Sequence, residues 1–263
     1  MKSELRQIIK DCFKDFNAFS DPIKVTPAVP VLWFGNMEAY WNSKKRIVSV
    51  ALNPSGIEFA TGSAGVFSLS TRFPGLNGNV NPSPEDYYKA MNEYFLHDPY
   101  MAWFQGPERV LNALSANYKP GKDNTAVHID VYAPVATSPH WNGLTQNQRN
   151  LLISSFSKYY DQMIEFLDPD IILASFDSKV IAGKFTDSVG NPCSLLNAKG
   201  CWKPANKKTP FLRLYKLPGQ KRLITGGNIS GSAFAGLTAK ECVEGIDYLN
   251  AIEITRTAKR RDD

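Results

Sequence analysis

Arg46-Ile-Val-Ser-Val-Ala-Leu-Asn-Pro-Ser-Gly56 is the stretch of sequence that decides the fold. Residues 47–52 are apolar or small and rich in β-branched side chains, and Asn-Pro-Ser-Gly then stops the run abruptly. A short apolar run bounded by turn residues is typical of a strand that is buried on both faces, as in a parallel sheet. We therefore expect a buried strand here that leads directly into a polar loop.

Outward from this strand, apolar runs alternate with helical patterns. Further strands are predicted at 126–131, 171–175, 211–215 and 222–225, and helices at 3–19, 84–96, 107–117, 146–167 and 238–254. This alternation predicts an α/β fold with a mostly parallel sheet that is covered on both faces. No repeat or second domain boundary is visible. We therefore expect a single domain over 1–263, with an N-terminal helix within 1–20 and a frayed basic tail at 256–263.

Polar residues follow several of these strands. Asn53, Asp130 and Asn228 each lie where a predicted strand ends. Ligands of open parallel sheets bind beyond the carboxyl ends of the strands, so these residues should meet at one edge of the molecule. The segment 54–83 is rich in Gly, Ser, Pro and Asn, and a loop of that length inside a compact domain is usually functional.

Composition narrows the function classes only slightly. The net charge of +5 permits a nucleic-acid partner without requiring one. The four cysteines include no C-x-x-C pair, so neither a metal centre nor another cofactor is expected. No apolar stretch is long enough to span a membrane, and the first residues do not resemble a signal peptide. These features favour a cytoplasmic protein without a membrane partner, and we expect a monomer.

Three segments, in order, resemble motifs of the uracil-DNA glycosylase superfamily. Ala51-Leu-Asn-Pro-Ser resembles the G-x-N-P-G/S motif of the mismatch-specific uracil and thymine glycosylases. His128-Ile-Asp-Val-Tyr-Ala-Pro-Val-Ala-Thr lies at the place of the base-recognition strand end, and Asn228-Ile-Ser-Gly-Ser resembles the late H-P-S-P-L or N-P-S-G-L loop. The resemblance implies a three-layer α/β/α fold around a four-stranded, mostly parallel sheet, and hydrolysis of the bond between a base and its sugar in DNA.

The resemblance also implies catalytic roles for two of these residues. Asn53 would hold the attacking water through its side-chain carbonyl, because an amide cannot act as a strong base at neutral pH. Asn228 would steady the base or the sugar. An alternative for Asn53 is that it only caps the junction between strand and turn, which Asn also favours.

A pocket for the extruded base is implied by the next loop. Ser55 stands where the housekeeping enzymes have a Tyr, and so leaves space at the 5-position of a pyrimidine. Phe67-Ser68 matches the spacing of the family's F-S, whose Phe stacks on the flipped base, and Phe73 is the other stacking candidate. Phe67 could equally be a small core anchor.

Asp130 departs from the family, which uses an Asn at this position to recognise uracil. An ionised Asp only accepts hydrogen bonds and would therefore favour the N4 amino group of cytosine. A buried, protonated Asp could instead donate to N3. The alternative is a strand-end Asp that bonds to local backbone amides. The departure favours a cytosine-type base with a 5-substituent.

Contacts with DNA are expected mainly from the late loop. Ser230, Gly231 and Ser232 carry donors suited to phosphates, and Phe234 is the candidate to fill the gap that the flipped base leaves, because the family's Leu wedge is missing. His140, with Trp141 beside it, could contact the strand. The lysines of 199–208 could contact phosphate or simply form a solvated face.

The sequence therefore predicts a monofunctional DNA glycosylase that flips out a modified pyrimidine and leaves an abasic site. The best candidate base is a hydroxymethylated or glucosylated cytosine of the kind that phage DNA carries. An alternative substrate is uracil or a mismatched thymine, as in base-excision repair. An alternative from another class is a non-catalytic reader of modified DNA. No Lys lies in a matched motif, so lyase activity is not expected.

Overall fold

The computed structural model describes residues 1–176, 193–194, 212–217, 221–229 and 232–259. The predicted phosphate-contacting residues Ser230 and Gly231 lie outside the described residues, as does the basic segment 199–208. Asn228 is described by its backbone alone.

A mostly parallel sheet forms the centre of the structure, as the sequence predicts. Its strands are β1 (Ile47–Ala51), β2 (Ala116–Asn117), β3 (Asn124–Asp130), β4 (Ile171–Ala174), β5 (Cys193–Ser194), β6 (Leu212–Lys216) and β7 (Arg222–Gly226). They are arranged in the order β2-β3-β1-β4-β7-β6-β5. The pairs from β2 to β7 are parallel, whereas β6 and β5 are antiparallel. A separate antiparallel pair joins β8 (Asn228–Ile229) to β9 (Ser232–Ala233).

The expected count of four strands was wrong, because the sheet has seven among the described residues. β6 and β7 are joined by a short connection, across which the Leu217 N–H donates to the Lys221 carbonyl at 2.8 Å. A connection this short can join only antiparallel neighbours, so β6 adds an antiparallel strand beside β7. β2 and β5 contain two residues each, too few to produce a recognisable sequence pattern.

Helices flank the sheet. They are α1 (Ser3–Ala18), α2 (Met37–Trp41), α3 (Pro84–Glu93), α4 (Met101–Ala113), α5 (Gln146–Phe156), α6 (Lys158–Leu167) and α7 (Ala239–Lys259). Short 3-10 turns cover Gly56–Phe59, Pro74–Leu76, Tyr94–Leu96 and Trp141–Gly143. Within the described residues, no helix is both long enough and apolar enough to cross a bilayer.

Three helices differ from the sequence prediction. The helix expected over 107–117 begins instead at Met101. Pro favours the first turn of a helix and so suggested a start at Pro107, but Pro107 lies inside α4. The long helix expected over 146–167 is divided at Ser157 into α5 and α6. The tail expected to fray from 256 is helical as far as Lys259, where the described residues end.

The core positions the elements that carry the strand-end loops. β1, β3 and β4 are almost entirely buried, as expected for strands covered on both faces. Their apolar side chains belong to one buried cluster that extends from α1 to α7. α4 approaches β9 so closely that a Cβ at Gly106 would lie 1.9 Å from the Ala233 carbonyl oxygen. Only glycine permits this contact, and the contact fixes α4 next to the carboxyl edge of the sheet.

Candidate active site

A cleft of about 780 Å³ opens at the carboxyl edge of the parallel strands. β1, β3, β4 and β7 run in the same direction, and residues that follow β1 and β4 line the cleft. Of the three strand-end residues predicted to meet here, only Asn53 lines it, since Asp130 and Asn228 are not among the lining residues. Among the predicted site residues, the cleft is lined by Asn53, Ser55, Phe67 and His140. Further lining residues that the sequence analysis did not assign to the site include Ile57, Tyr100, Trp103, Thr137, Ser175 and Phe176.

The side chain of Asn53 is held in one orientation. Its amide nitrogen donates to the carbonyl oxygens of Pro54 and Val135, both at 3.0 Å, and to Thr137 Oγ1 at 3.1 Å. Only the NH₂ end of an amide can donate, so these acceptors define which atom is the nitrogen. No group of the described residues donates to Oδ1. The amide oxygen is therefore available to a water or a ligand in the cleft.

Ser55 both caps the turn after β1 and lines the cleft. Its Oγ accepts from the Ile57 N–H at 3.2 Å, which begins the 3-10 turn. The Gly56 N–H donates to the Thr137 carbonyl at 3.1 Å. A Cβ at Gly56 would lie 3.0 Å from that carbonyl oxygen and 3.6 Å from the ring of Phe67. The turn thus packs tightly between Thr137 and Phe67, and its small residues keep this side of the cleft open.

The stacking candidates have different environments. Phe67 is half-buried, pairs with Ala60 and lines the cleft, so one face can meet a ligand. Phe73 is fully buried and packs against Phe59, with ring centroids 5.4 Å apart, so it is a core residue. Ser68 shares a hydrogen bond with Ser70 Oγ at 2.8 Å and is not among the lining residues. The predicted role of Ser68 in base binding therefore finds no support in this geometry.

Asp130 is buried beside the cleft and does not line it. Its side chain is 2% exposed, and neither carboxylate oxygen has a hydrogen-bond partner among the described residues. His128 Nε2 lies 3.7 Å from Oδ1, outside hydrogen-bond distance. Burial raises the pKa of Asp130, and nearby His128 only partly offsets this effect. Ala51, which pairs with Asp130 in the sheet, does line the cleft. Direct contact between Asp130 and a base, as expected from the sequence, therefore requires the residues that line the cleft next to Asp130 to move.

A buried polar chain leads to Asp130 from the sheet interior. The Tyr118 hydroxyl donates to Ser49 Oγ at 2.7 Å, and Ser49 Oγ lies 2.9 Å from His128 Nδ1. If Ser49 donates onward, Nε2 of His128 carries the proton and faces Asp130. The Trp103 ring, which lines the cleft, lies 4.7 Å from the His128 ring. His128 therefore connects this hydrogen-bonded chain to Trp103 in the wall of the cleft.

A second buried carboxyl lies beneath the turn that follows Ser55. The Tyr94 hydroxyl donates to Glu58 Oε2 at 2.5 Å, and Arg72 Nε lies 3.6 Å from the same oxygen. Burial nevertheless raises the pKa of Glu58 from 4.5 to about 7, opposed by Tyr94 and Arg72. An ionised Asp130 would raise it further. Nothing in the sequence pattern of 54–83 indicated this cluster, because its members are brought together only by the fold.

The late loop is attached to the cleft through Ser175, at the end of β4. Ser175 Oγ donates to the Gly227 carbonyl at 2.8 Å and accepts from the Phe234 N–H at 3.0 Å. Phe234 is 1% exposed and has a φ of 52°. The expectation that Phe234 fills the gap in DNA was therefore wrong for this conformation, because its ring belongs to the core. Ser232 is exposed, consistent with a phosphate contact, and Asn228 pairs with Ala233 through its backbone.

His140 and Trp141 also line the cleft. His140 is exposed, so its ring is accessible to a ligand. Trp141 stacks on Tyr132 with ring centroids 5.1 Å apart and an interplanar angle of 16°. This stack holds the Trp141 ring in place in the wall of the cleft.

The fold and the cleft define an α/β protein with an aromatic pocket at the carboxyl edge of its sheet. Within the described part of the chain, no group of His, Cys, Asp or Glu side chains is arranged to hold a metal ion. No protein-family model matches the chain, and no match to a curated protein was found.

Proposed function

We propose that the chain is a monofunctional DNA glycosylase of the uracil-DNA glycosylase superfamily, with the three-layer α/β/α arrangement of that family. The observation that carries the proposal is the orientation of Asn53. Its amide nitrogen is held by three acceptors, and its amide oxygen is left free at a cleft lined by aromatic side chains. A fixed acceptor of this kind suits the positioning of a water molecule.

The proposed reaction is hydrolysis of the N-glycosidic bond. The oxygen of the Asn53-bound water attacks C1′ of the deoxyribose, and the C1′–N bond breaks with its electron pair going to the nitrogen of the base. The proton that the water loses balances the one that the departing base takes up, so that a C1′ hydroxyl and a neutral base result. An amide positions the water without removing its proton early, which suits a reaction in which positive charge first builds on the sugar. The products are a free base and an abasic site.

The cleft suits a base that carries a substituent. Phe67 offers a ring face for stacking, and Ser55 leaves the neighbouring space open. The cleft, of about 780 Å³, has room for a substituted pyrimidine. We favour a 5-substituted cytosine, hydroxymethylated or glucosylated, over uracil or mismatched thymine because of the open space at Ser55 and the carboxyl at Asp130.

Asp130 is the proposed partner of the cytosine edge. A protonated carboxyl would donate to N3 and make cytosine a better leaving group, and the burial that raises the pKa of Asp130 favours this form. Because both oxygens lack partners among the described residues, a base edge admitted past Ala51 and Trp103 would satisfy them.

The proposal is tested with a panel of oligonucleotides that contain uracil, mismatched thymine, 5-hydroxymethylcytosine or its glucosylated form. Base release is detected by alkaline cleavage at the abasic site. We expect release from modified cytosine, and loss of at least about 100-fold in rate for Asn53→Ala, comparable to loss of a water-positioning or oxyanion group.

The matched control is Asn147→Ala, which truncates an exposed Asn on α5 outside the cleft and should retain full activity. Thermal unfolding of each variant separates loss of chemistry from loss of the turn that Asn53 anchors. Binding of modified DNA without release of any base would instead identify a reader.

A further inference from the structure

Because Phe234 is buried, another side chain of the described residues is a better candidate to occupy the space of an extruded base. Among the described residues, the large apolar side chains that remain exposed are Met1, Ile57, Val66, Leu96, Leu151 and Val243. Only Ile57 and Val66 lie at the cleft. Ile57 lines it, and Val66 lies between Gly65 and Phe67, which both line it.

The backbone of Val66 is held firmly in a hairpin. The Val66 N–H donates to the Ser63 carbonyl at 3.1 Å. The Val66 carbonyl accepts from both the backbone N–H and the hydroxyl of Thr61, each at 3.1 Å. Ala60 and Phe67 pair across the hairpin. The exposure of Val66, at 51%, is thus imposed by a hydrogen-bonded turn.

Gly65 and Phe67, on either side of Val66, both line the cleft, whereas Val66 does not line it and is half exposed, so its side chain faces solvent at the rim. Its isopropyl group is apolar and short. Extruding a base from a duplex leaves an apolar gap between stacked base pairs, and proteins commonly insert an apolar side chain there.

We propose that Val66 is the wedge that enters the duplex while its neighbour Phe67 stacks on the extruded base. This inference rests on the proposed function, because it requires a duplex partner and an extruded nucleotide. Two adjacent residues of one hairpin would thus act in base extrusion, Val66 by filling the gap in the duplex and Phe67 by stacking on the extruded base. It also replaces the late loop as the source of the wedge.

The test compares duplex and single-stranded substrates that carry the same target base. Val66→Ala should lower the rate of base release from duplex DNA about tenfold and leave release from single-stranded DNA within about twofold, since a single strand has no gap to fill. Val66→Leu should restore release from the duplex. Leu151→Ala is the matched control, because Leu151 is 42% exposed on α5 away from the cleft, and it should change neither rate.

Fluorescence of 2-aminopurine placed next to the target base follows unstacking without any chemistry. The wild-type protein should raise it on duplex DNA, and Val66→Ala should not. Equal loss of release on both substrates, or a full fluorescence rise with Val66→Ala, would overturn the wedge. If the wild-type protein released no base at all, the proposed function would fail. The fluorescence would then still test the role of Val66, because a wild-type protein that does not raise the signal on duplex DNA inserts no wedge.

Discussion

At Asn53, the two ends of one side chain have separate tasks. The amide nitrogen attaches the turn after β1 to Val135 and Thr137, and the amide oxygen is left to the cleft. The turn-capping role and the water-positioning role, which the sequence presents as alternatives, are therefore compatible. The rigidity that the first role supplies is what the second requires.

The buried carboxyl of Glu58 should make the stability of the fold depend on pH. Its pKa is raised from 4.5 in a solvated carboxyl to about 7 in the fold, because burial disfavours the charged form. The folded state therefore binds the proton more tightly than the unfolded state. The corresponding stability is fully present below about pH 4.5 and is lost as the pH rises through about 7. By linkage, the loss attributable to Glu58 is about 3 kcal/mol.

Denaturant unfolding of the wild-type protein and of Glu58→Gln across this pH range measures that loss. The free energy of unfolding of the wild type should fall relative to that of the variant as the pH rises. Gln keeps the shape and can still accept from Tyr94, so it isolates the titration. A difference between the two proteins that stayed constant with pH would show that the fold does not raise the pKa of Glu58.

At the scale of elements, the contact between α4 and β9 fixes one side of the cleft. α4 carries Trp103 to the cleft and passes over Ala233 at Gly106 without space for a side chain. Gly106→Ala should therefore destabilise the fold by about 1–3 kcal/mol or more, since the new Cβ must displace a backbone carbonyl. Thermal or denaturant unfolding measures the change.

Gly75 provides the control for this prediction. It lies in the exposed 3-10 turn Pro74–Leu76, where a Cβ would meet no atom within 4 Å. Gly75→Ala should change the free energy of unfolding by only about 0.5 kcal/mol. Equal stability of the two alanine variants would mean that α4 does not approach β9 as closely as described.

The elements also show how far the sequence predicts the fold. The buried parallel strands were predictable, because runs such as 47–51 and 171–174 consist of apolar or small residues and are bounded by turns. β6 was predicted as a strand, but its antiparallel direction depends on the short connection to β7. The boundaries of α4 could not be predicted, since the effect of Pro107 depends on whether tertiary packing compensates for the missing hydrogen bond.

The site was predictable only in part, for a related reason. Asn53, Ser55 and Phe67 follow a strand in a parallel sheet, so topology alone brings them to the cleft. Glu58 and Trp103 come from a loop and a helix whose approach depends on packing. The burial of an aromatic residue in a loop, such as Phe234, depends on which side of the backbone faces the core, and no sequence pattern specifies it.

At the scale of the whole molecule, the net charge of +5 is too small for strong uniform attraction to DNA. The proposed recognition of DNA would therefore rest on the cleft and its rim, where aromatic rings, a fixed amide oxygen and an apolar hairpin lie together. In this account, sequence-independent binding is weak and specificity comes from the extruded base.

The most direct measurement of the central claim is the quantity of free base and of abasic sites formed in a single turnover on modified DNA, followed by mass spectrometry. The wild-type protein should produce both in equal amounts, with the modified base intact, and Asn53→Ala should produce both at least about 100-fold more slowly at a temperature where it remains folded. Undiminished base release by a folded Asn53→Ala variant would contradict the account.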